Sequence, residues 1–183
     1  MSAAVTLQMV IGALDDASIP YMLVGSFAST IHGAPRTTHD VDLVIDPTPE
    51  ALRRFVAMVE SPTVYAGPDP LDALERRDQF NVIDTDSGWK IDLMIRKDRA
   101  FSRSEFARRI ETTLLGIPVW VATAEDTILA KLEWAAMSGS ERQLIDAGAV
   151  LDVNGEAIDD AYLDHWAGAL GVGQLLERIR RGS

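Results

Sequence analysis

The stretch from Leu23 to Leu43 has the sequence LVGSFASTIHGAPRTTHDVDL, and it contains the pattern that decides the fold. The apolar run Tyr21–Val24 predicts a buried strand that enters a tight turn at Gly25 and Ser26. A helix that begins after such a turn presents unpaired backbone N–H groups, which can bind an anion such as a phosphate. A simple helix cap has the same Gly-Ser sequence, so this feature alone does not predict a ligand.

Asp40 and Asp42 lie two residues apart at the start of the next predicted strand, which runs from Val41 to Ile45. Side chains at positions i and i+2 point to the same face of a strand, so the two carboxylates converge. Converging carboxylates repel each other and resist burial unless a metal ion or a cationic side chain neutralises them. Oxygen ligands of this kind suit Mg²⁺ or Mn²⁺, although two acids at a solvent-exposed strand end show the same pattern.

A third acid, Asp92, interrupts an otherwise apolar strand predicted from Trp89 to Ile95. Folding alone favours a hydrophobic residue at this position, so the carboxylate calls for another explanation. If this strand lies beside the strand that carries Asp42, three carboxylates share one site. Such a site can hold two divalent ions about 4 Å apart, the arrangement that polymerases use for in-line phosphoryl transfer. The sequence therefore predicts a catalytic metal site formed by Asp40, Asp42 and Asp92.

The remaining pattern predicts an α+β fold, with a mixed β-sheet flanked by helices and followed by a C-terminal helical region. Strand signals at 79–84 and 89–95 surround a turn at 85–88, which indicates a hairpin. Residues 61–70 contain three prolines and predict a connection, and residues 103–111 predict a short helix. Thr123 and Asp126 form a capping box that opens the first C-terminal helix. We therefore expect a core over residues 1–122 and a helical region over residues 123–183 packed on it.

The elements of the first half have a characteristic spacing: a hydrophobic residue before Gly25-Ser26, the run Arg36-x-Thr38-x-Asp40-x-Asp42, and Asp92 in a later strand. Together they resemble the nucleotidyltransferase superfamily, which has the DNA polymerase β-like fold. Residues 124–146 are similar to the AbiEii-type branch of minimal nucleotidyltransferases, which includes toxins of bacterial toxin–antitoxin and phage-defence systems. That branch usually shows an Arg-Asp pair near the second helix, where this chain has SERQLID from Ser140 to Asp146.

The resemblance implies an enzyme that transfers NMP from an NTP to a hydroxyl group and releases pyrophosphate. Gly25 and Ser26 would hold the nucleotide phosphates. Asp40 and Asp42, the two acids of the D-x-D motif, would bind Mg²⁺ or Mn²⁺. Asp92 would complete one metal site and assist deprotonation of the acceptor hydroxyl. The remaining nucleotide-binding residues implied are Arg36, Thr38, Lys131 and Asp146. Lys131 would reach a phosphate as a point charge, with Asp146 near it; the alternative is a surface lysine paired with Glu133 or Asp126.

The composition narrows the class of protein. The chain has 183 residues, no cysteine and a net charge of −11. The missing cysteines exclude disulfides, thiolate metal sites and cysteine nucleophiles. The N-terminal region lacks the basic segment of a signal peptide, and apolar runs are shorter than the roughly 20 residues of a membrane helix, so we expect a cytoplasmic protein without membrane contact. The negative charge opposes extensive nucleic-acid binding, although a basic cluster can provide a local site for a polyanion. That cluster consists of Arg96, Lys97, Arg99, Arg103, Arg108 and Arg109.

Several functions fit these residues. The acceptor can be an RNA 3′ end such as that of tRNA, a protein side chain or a small molecule, and the toxin resemblance adds a possible cognate antitoxin as a partner. A glycosyltransferase also uses a D-x-D motif, but its nucleotide-binding half normally precedes the motif, and only 39 residues precede Asp40 here. A catalytically degenerate nucleotidyltransferase fold that acts as a binding protein or antitoxin-like partner is the alternative outside enzymes.

Overall fold

The structure is a computed structural model that describes residues 3–35, 38 and 40–182. Its strands are β1 (Tyr21–Val24), β2 (Asp40–Ile45), β3 (Val64–Gly67), β4 (Gln79–Asp84), β5 (Trp89–Ile95), β6 (Ile110–Leu114) and β7 (Ile117–Val121). Its helices are α1 (Ala3–Asp16), α2 (Gly25–Ile31), α3 (Pro49–Val59), α4 (Pro70–Arg76), α5 (Ala100–Arg108), α6 (Ala124–Ser138), α7 (Glu141–Asn154), α8 (Asp160–Ala169) and α9 (Gly173–Arg180). The predicted α+β class, with a mixed sheet flanked by helices and a C-terminal helical region, is confirmed.

The chain divides into two compact units. One unit comprises Met1–Val24 and Thr37–Val121, and the other comprises Gly25–Arg36 and Ala122–Ser183. The segment that follows β1 therefore belongs with the C-terminal helices, a grouping that no local feature of the sequence indicates. The domain boundary expected after residue 122 stays a prediction.

Within the described residues, the first unit contains one seven-stranded sheet with the order β3-β4-β5-β2-β1-β7-β6. The pairs β2–β5 and β1–β7 are parallel, and the other neighbours are antiparallel. Alternation along the central strands sends Leu43 and Leu93 to a fully buried face. Helix α1 packs against β5 and β7, and α3 packs against α1, so this face forms the core of the first unit.

The second unit is helical. Helices α6 and α7 pack against each other, while α2, α8 and α9 pack against this pair. The capping box that the sequence predicts opens α6, because the Thr123 hydroxyl accepts a hydrogen bond from the Asp126 backbone N–H at 3.2 Å. Leu132 and Val150 are completely buried between the helices. No described helix combines the length and apolarity needed to cross a bilayer.

Two local predictions were wrong. Residues 61–70, expected to be a connection, contain β3, which pairs with β4 at the edge of the sheet. Its four residues lie between prolines, and only pairing with a neighbour makes so short a segment a strand. The helix expected over 103–111 begins at Ala100 and ends at Arg108, since Ile110 and Glu111 already pair with β7.

Candidate active site

The centre of the site is the parallel pair β2–β5. The two strands are in register, so Asp42 lies directly opposite Asp92 and Asp40 lies opposite Lys90. Directly paired residues point to the same face of a sheet, so these four side chains share one face. From the sequence it could only be assumed that the strands of Asp42 and Asp92 are neighbours, and the structure shows that β2 and β5 pair directly.

This face is the less buried one. Both strands alternate between buried odd-numbered residues and partly exposed even-numbered residues over Val41–Ile45 and Ile91–Ile95. The exposed fraction of the side chain is 54% for Asp40 and 15% for Asp92. The aspartates therefore stand on the accessible side of an apolar layer, where a charged ligand can approach without crossing the core.

Lys90 places a cation among the carboxylates. Its Nζ lies 2.9 Å from Asp92 Oδ2 and 3.7 Å from Asp40 Oδ1. The hydrogen bond to Asp92 raises the pKa of the Lys90 ammonium, and the charges of Asp92, Asp40 and Asp42 act in the same direction against partial burial. Lys90 therefore stays protonated at neutral pH and partly neutralises the cluster.

The donors present suit a hard divalent cation, because carboxylate oxygens are the ligands that Mg²⁺ and Mn²⁺ prefer. Two of the carboxylates already converge on one cation, the Lys90 ammonium. However, no group of three His, Cys, Asp or Glu in the described part of the chain is arranged to hold a metal ion. The three aspartates suit a divalent cation by residue type and by their position on one face. The cation can bind them only if the Lys90 ammonium moves away from Asp92 and Asp40.

Asn81 joins the same row of the sheet and is absent from the site residues predicted from the sequence. On the antiparallel strand β4 it lies opposite Asp92, while Val24 of β1 lies opposite Asp42 on the other side. An amide beside Asp92 can donate to that carboxylate or bind a ligand polar group. The signal was available, because counting back from the predicted turn at 85–88 pairs residue 84 with residue 89 and residue 81 with residue 92.

Two other buried aspartates are engaged in structural hydrogen bonds. Asp84 Oδ2 accepts from the hydroxyls of Thr6 and Ser87, at 2.9 Å and 2.6 Å. Asp126 accepts from the Tyr162 hydroxyl at 2.7 Å and from the Thr123 hydroxyl at 2.8 Å. Both carboxylates hold separate elements of the fold together, in contrast to the partly exposed carboxylates of β2 and β5.

Gly25 and Ser26 lie in the first turn of α2. Gly25 has φ of +64°, a left-handed conformation that favours glycine, and Ser26 is largely buried. The carbonyl oxygens of the two residues accept hydrogen bonds from the hydroxyls of Ser29 and Thr30, at 3.1 Å and 3.0 Å. The helix begins at Gly25, so the tight turn expected from the sequence forms the first turn of the helix.

Of the loop before β2, Thr38 is described and Arg36 lies outside the described residues. The Thr38 hydroxyl donates to the Asp40 carbonyl oxygen at 3.2 Å and lies 3.3 Å from the Asp40 backbone N–H, which donates to it. Thr38 thus holds the first residue of β2, and its contact with nucleotide stays a prediction.

Lys131 and Asp146 are brought together in the second unit. Lys131 Nζ donates to Asp146 Oδ2 at 2.9 Å and to Gln143 Oε1 at 3.2 Å. The exposed fraction is only 6% for the Lys131 side chain and 16% for Asp146. Burial and a carboxylate partner distinguish Lys131 from a surface lysine, and contact of this pair with nucleotide stays a prediction.

The basic cluster is largely paired within the chain. Arg96 forms an ion pair with Asp46 at 3.0 Å, and Arg103 forms one with Asp98 at 2.6 Å. The Arg109 guanidinium stacks over Phe106 and Trp120, and burial lowers its pKa. The Arg99 Nε donates to Ser102 at 3.0 Å. The two ion pairs offset part of the positive charge that the cluster offers to a polyanion.

Similarity to known proteins lies in the fold. The chain resembles ANT(2")-Ia in complex with adenylyl-2"-tobramycin, with 17% identity, 98% of each chain covered and a TM-score of 0.55. It resembles the lincomycin-bound lincosamide antibiotic adenylyltransferase LnuA, with 11% identity, 84% and 98% of the two chains covered and a TM-score of 0.54. An antigenic nucleotidyltransferase-like protein from Paracoccidioides brasiliensis gives 16% identity, coverage of 84% of this chain and 77% of that one, and a TM-score of 0.51.

The chain has a nucleotidyltransferase-like fold. This likeness is one of fold alone, and the superfamily and its AbiEii-type branch expected from the sequence stay predictions. The sequence matches no family model. A search of curated proteins likewise finds no match.

Proposed function

We propose that this protein is a metal-dependent nucleotidyltransferase that transfers NMP from an NTP to a hydroxyl acceptor and releases pyrophosphate. The observation that carries the proposal is the register of β2 and β5, which sets Asp42 opposite Asp92 with Asp40 beside them on one accessible face. Three acids on adjacent strands of this fold have no role in the apolar core, and converging carboxylates destabilise a sheet unless they bind a cation.

In this proposal Asp40, Asp42 and Asp92 hold Mg²⁺ or Mn²⁺. The metal, when bound, neutralises the triphosphate and lowers the pKa of the attacking hydroxyl. The acceptor oxygen forms a bond to the α-phosphorus while the bond to pyrophosphate breaks, and Asp92 takes up the hydroxyl proton. Gly25 and Ser26 bind phosphate oxygens through the backbone of the turn.

We assign the positive charge for the phosphates to Lys131 and Arg36. Lys131 donates to Asp146 and Gln143 in the structure, so a phosphate would share or take over these hydrogen bonds. Asp146 would then keep the ammonium oriented between α6 and α7. Thr38 would position the D-x-D strand, consistent with its hydrogen bonds to the Asp40 backbone.

A small molecule with a hydroxyl group is the acceptor class that the observations favour. Two structural neighbours were solved with a small antibiotic compound bound: ANT(2")-Ia with adenylyl-2"-tobramycin and LnuA with lincomycin. The net charge of −11 and the internal pairing of the basic cluster both oppose a long polyanion such as tRNA. An RNA 3′ end or a protein acceptor, and with it a toxin role with a cognate antitoxin, rests on the sequence resemblance alone.

The test is transfer of label from an α-³²P-NTP in the presence of Mg²⁺ or Mn²⁺. Each NTP is combined with aminoglycosides, lincosamides, total RNA and casein as acceptors, and products are separated by chromatography. Asp42→Asn should abolish transfer, while Asp46→Asn should retain it, since Asp46 lies just beyond the same strand and pairs with Arg96. Equal transfer by wild type and Asp42→Asn would show that the acids do not form the site.

A second function is favoured by one specific observation. The ion pairs of Lys90 with Asp92 and Asp40 already neutralise part of the cluster, as expected for a degenerate enzyme that binds nucleotide without metal. Such a protein would gain thermal stability from NTP in the presence of EDTA and would transfer no label. An active enzyme would show stabilisation that needs both NTP and a divalent cation.

A further inference from the structure

Lys90 is held on the carboxylate face by the sheet itself. It lies two residues before Asp92 on β5 and opposite Asp40 on β2, so alternation and register both direct it to this face. Its side chain is 37% exposed. Lys90 is therefore a fixed part of the carboxylate cluster, unlike a loop lysine, which could reach other partners.

Its ammonium takes up the same oxygens that a metal ion needs. Nζ lies 2.9 Å from Asp92 Oδ2 and 3.7 Å from Asp40 Oδ1. A divalent cation binds such oxygens at roughly 2.0–2.6 Å. An ammonium and a metal ion on the same oxygens would lie only about 3–4 Å apart, where like charges repel each other even at high dielectric. The two cations therefore compete.

We propose that Lys90 is an internal counter-ion that competes with the divalent cation for Asp92 and Asp40, so that metal binds weakly until a nucleoside triphosphate binds with it. This inference rests on the proposed function, because it assumes that the three aspartates are the metal site. It adds an order of binding to the proposed function. In the free protein Lys90 neutralises part of the charge of the aspartates, and metal and nucleotide bind together.

The triphosphate changes the balance through its charge. Its oxygens bring roughly four negative charges to the site, which both attract the metal and offer the Lys90 ammonium a new partner. Binding of metal and nucleotide is therefore coupled, and by linkage each raises the affinity for the other by the same factor. Without Lys90 the metal would bind well alone, and most of this coupling would disappear.

The experiment measures Mn²⁺ binding by the EPR signal of free Mn²⁺, with and without a non-hydrolysable ATP analogue. Wild type is compared with Lys90→Met, Lys90→Arg, Asp42→Asn and the double variant Lys90→Met/Asp42→Asn. The control is Lys97→Met, which removes the same charge from an exposed lysine beyond β5. We expect Lys90→Met to bind Mn²⁺ at least tenfold more tightly than wild type in the absence of nucleotide. Lys97→Met and the charge-conserving Lys90→Arg should stay close to wild type.

The outcomes separate the two proposals. Equal Mn²⁺ affinities for wild type and Lys90→Met, with binding lost in Asp42→Asn, overturn the role of Lys90 and leave the metal site standing. Absence of Mn²⁺ binding in every variant, with or without nucleotide, overturns the metal site and the role of Lys90 together. Tighter binding in Lys90→Met that is lost again in Lys90→Met/Asp42→Asn supports both. Circular dichroism of each variant verifies that it is folded, and Lys90→Gln replaces Lys90→Met if the latter is not.

Discussion

Asp84→Asn should destabilise the protein while leaving its chemistry intact. Asp84 ends β4 with its carboxylate completely buried. Oδ2 accepts from the Thr6 and Ser87 hydroxyls, and Oδ1 accepts from the backbone N–H groups of Asp86 and Ser87 at 3.0 Å and 3.4 Å. One carboxylate thus joins helix α1 to the turn that precedes β5, the strand of the candidate site.

The magnitude follows from the hydrogen bonds that an amide cannot reproduce. Asparagine keeps one carbonyl oxygen and turns the other acceptor into a donor, so about two charge-assisted hydrogen bonds of roughly 1.5–3 kcal/mol each are disturbed. The Thr6 and Ser87 hydroxyls can rotate and accept from the new amide, which recovers part of this loss. We therefore expect the free energy of unfolding to fall by about 2–3 kcal/mol, or roughly 4–12 °C in Tm for a chain of this size.

The pH dependence of this loss has a definite sign. Burial raises the pKa of Asp84, but the hydrogen bonds from the Ser87 and Thr6 hydroxyls and from the Asp86 and Ser87 backbone together lower it below its ordinary value of 3.8. A carboxylate with a depressed folded pKa stabilises the protein above its unfolded pKa, and this stabilisation is lost as the pH falls through the folded pKa. The difference in stability between wild type and Asp84→Asn should therefore be full at pH 7 and shrink below about pH 3.8.

The assay is urea unfolding followed by circular dichroism at pH 7, 5, 4 and 3, together with NMP transfer at 20 °C. Asp86→Asn is the matched control, because it changes an exposed aspartate of the same turn. A free energy of unfolding for Asp84→Asn within about 0.5 kcal/mol of wild type at pH 7 would refute this account. So would a stability difference of equal size at pH 7 and pH 3, since it could not come from the ionised carboxylate.

Two further substitutions test the second unit. Gly33→Ala should lower the free energy of unfolding by about 2 kcal/mol, because Gly33 has φ of +89° and an added Cβ would collide with Val153 Cγ1. Adding Val153→Ala to Gly33→Ala should restore only the part of this loss that is due to the collision, as measured by thermal unfolding. Asp146→Ala should lower the free energy of unfolding in urea by about 2–3 kcal/mol, because it removes the carboxylate 2.9 Å from the buried Lys131 ammonium. Lys131→Met should change the free energy of unfolding by less than about 1 kcal/mol and still reduce NMP transfer. A larger loss of stability for Lys131→Met than for Asp146→Ala would contradict this prediction.

Much of the fold could be predicted because its signals are local. Alternation identified Gln79–Asp84 and Trp89–Ile95 as strands and 85–88 as their turn, and the structure confirms these bounds. The capping pattern at Thr123 likewise involves residues three apart. Segments whose structure depends on a distant partner were the ones missed, such as β3, which exists only through its pairing with β4.

For the candidate site, the sequence by itself determined which acids are unusual and that Asp40 and Asp42 share a face, because a period of two is a property of any strand. Only the tertiary structure decided that β2 pairs with β5 in the register that sets Asp42 opposite Asp92 and brings Lys90 between the carboxylates. It also decided that Lys131 meets Asp146, fifteen residues away on the next helix. Strand order and helix packing are set by burial of apolar surface over the whole chain, so no local pattern encodes them.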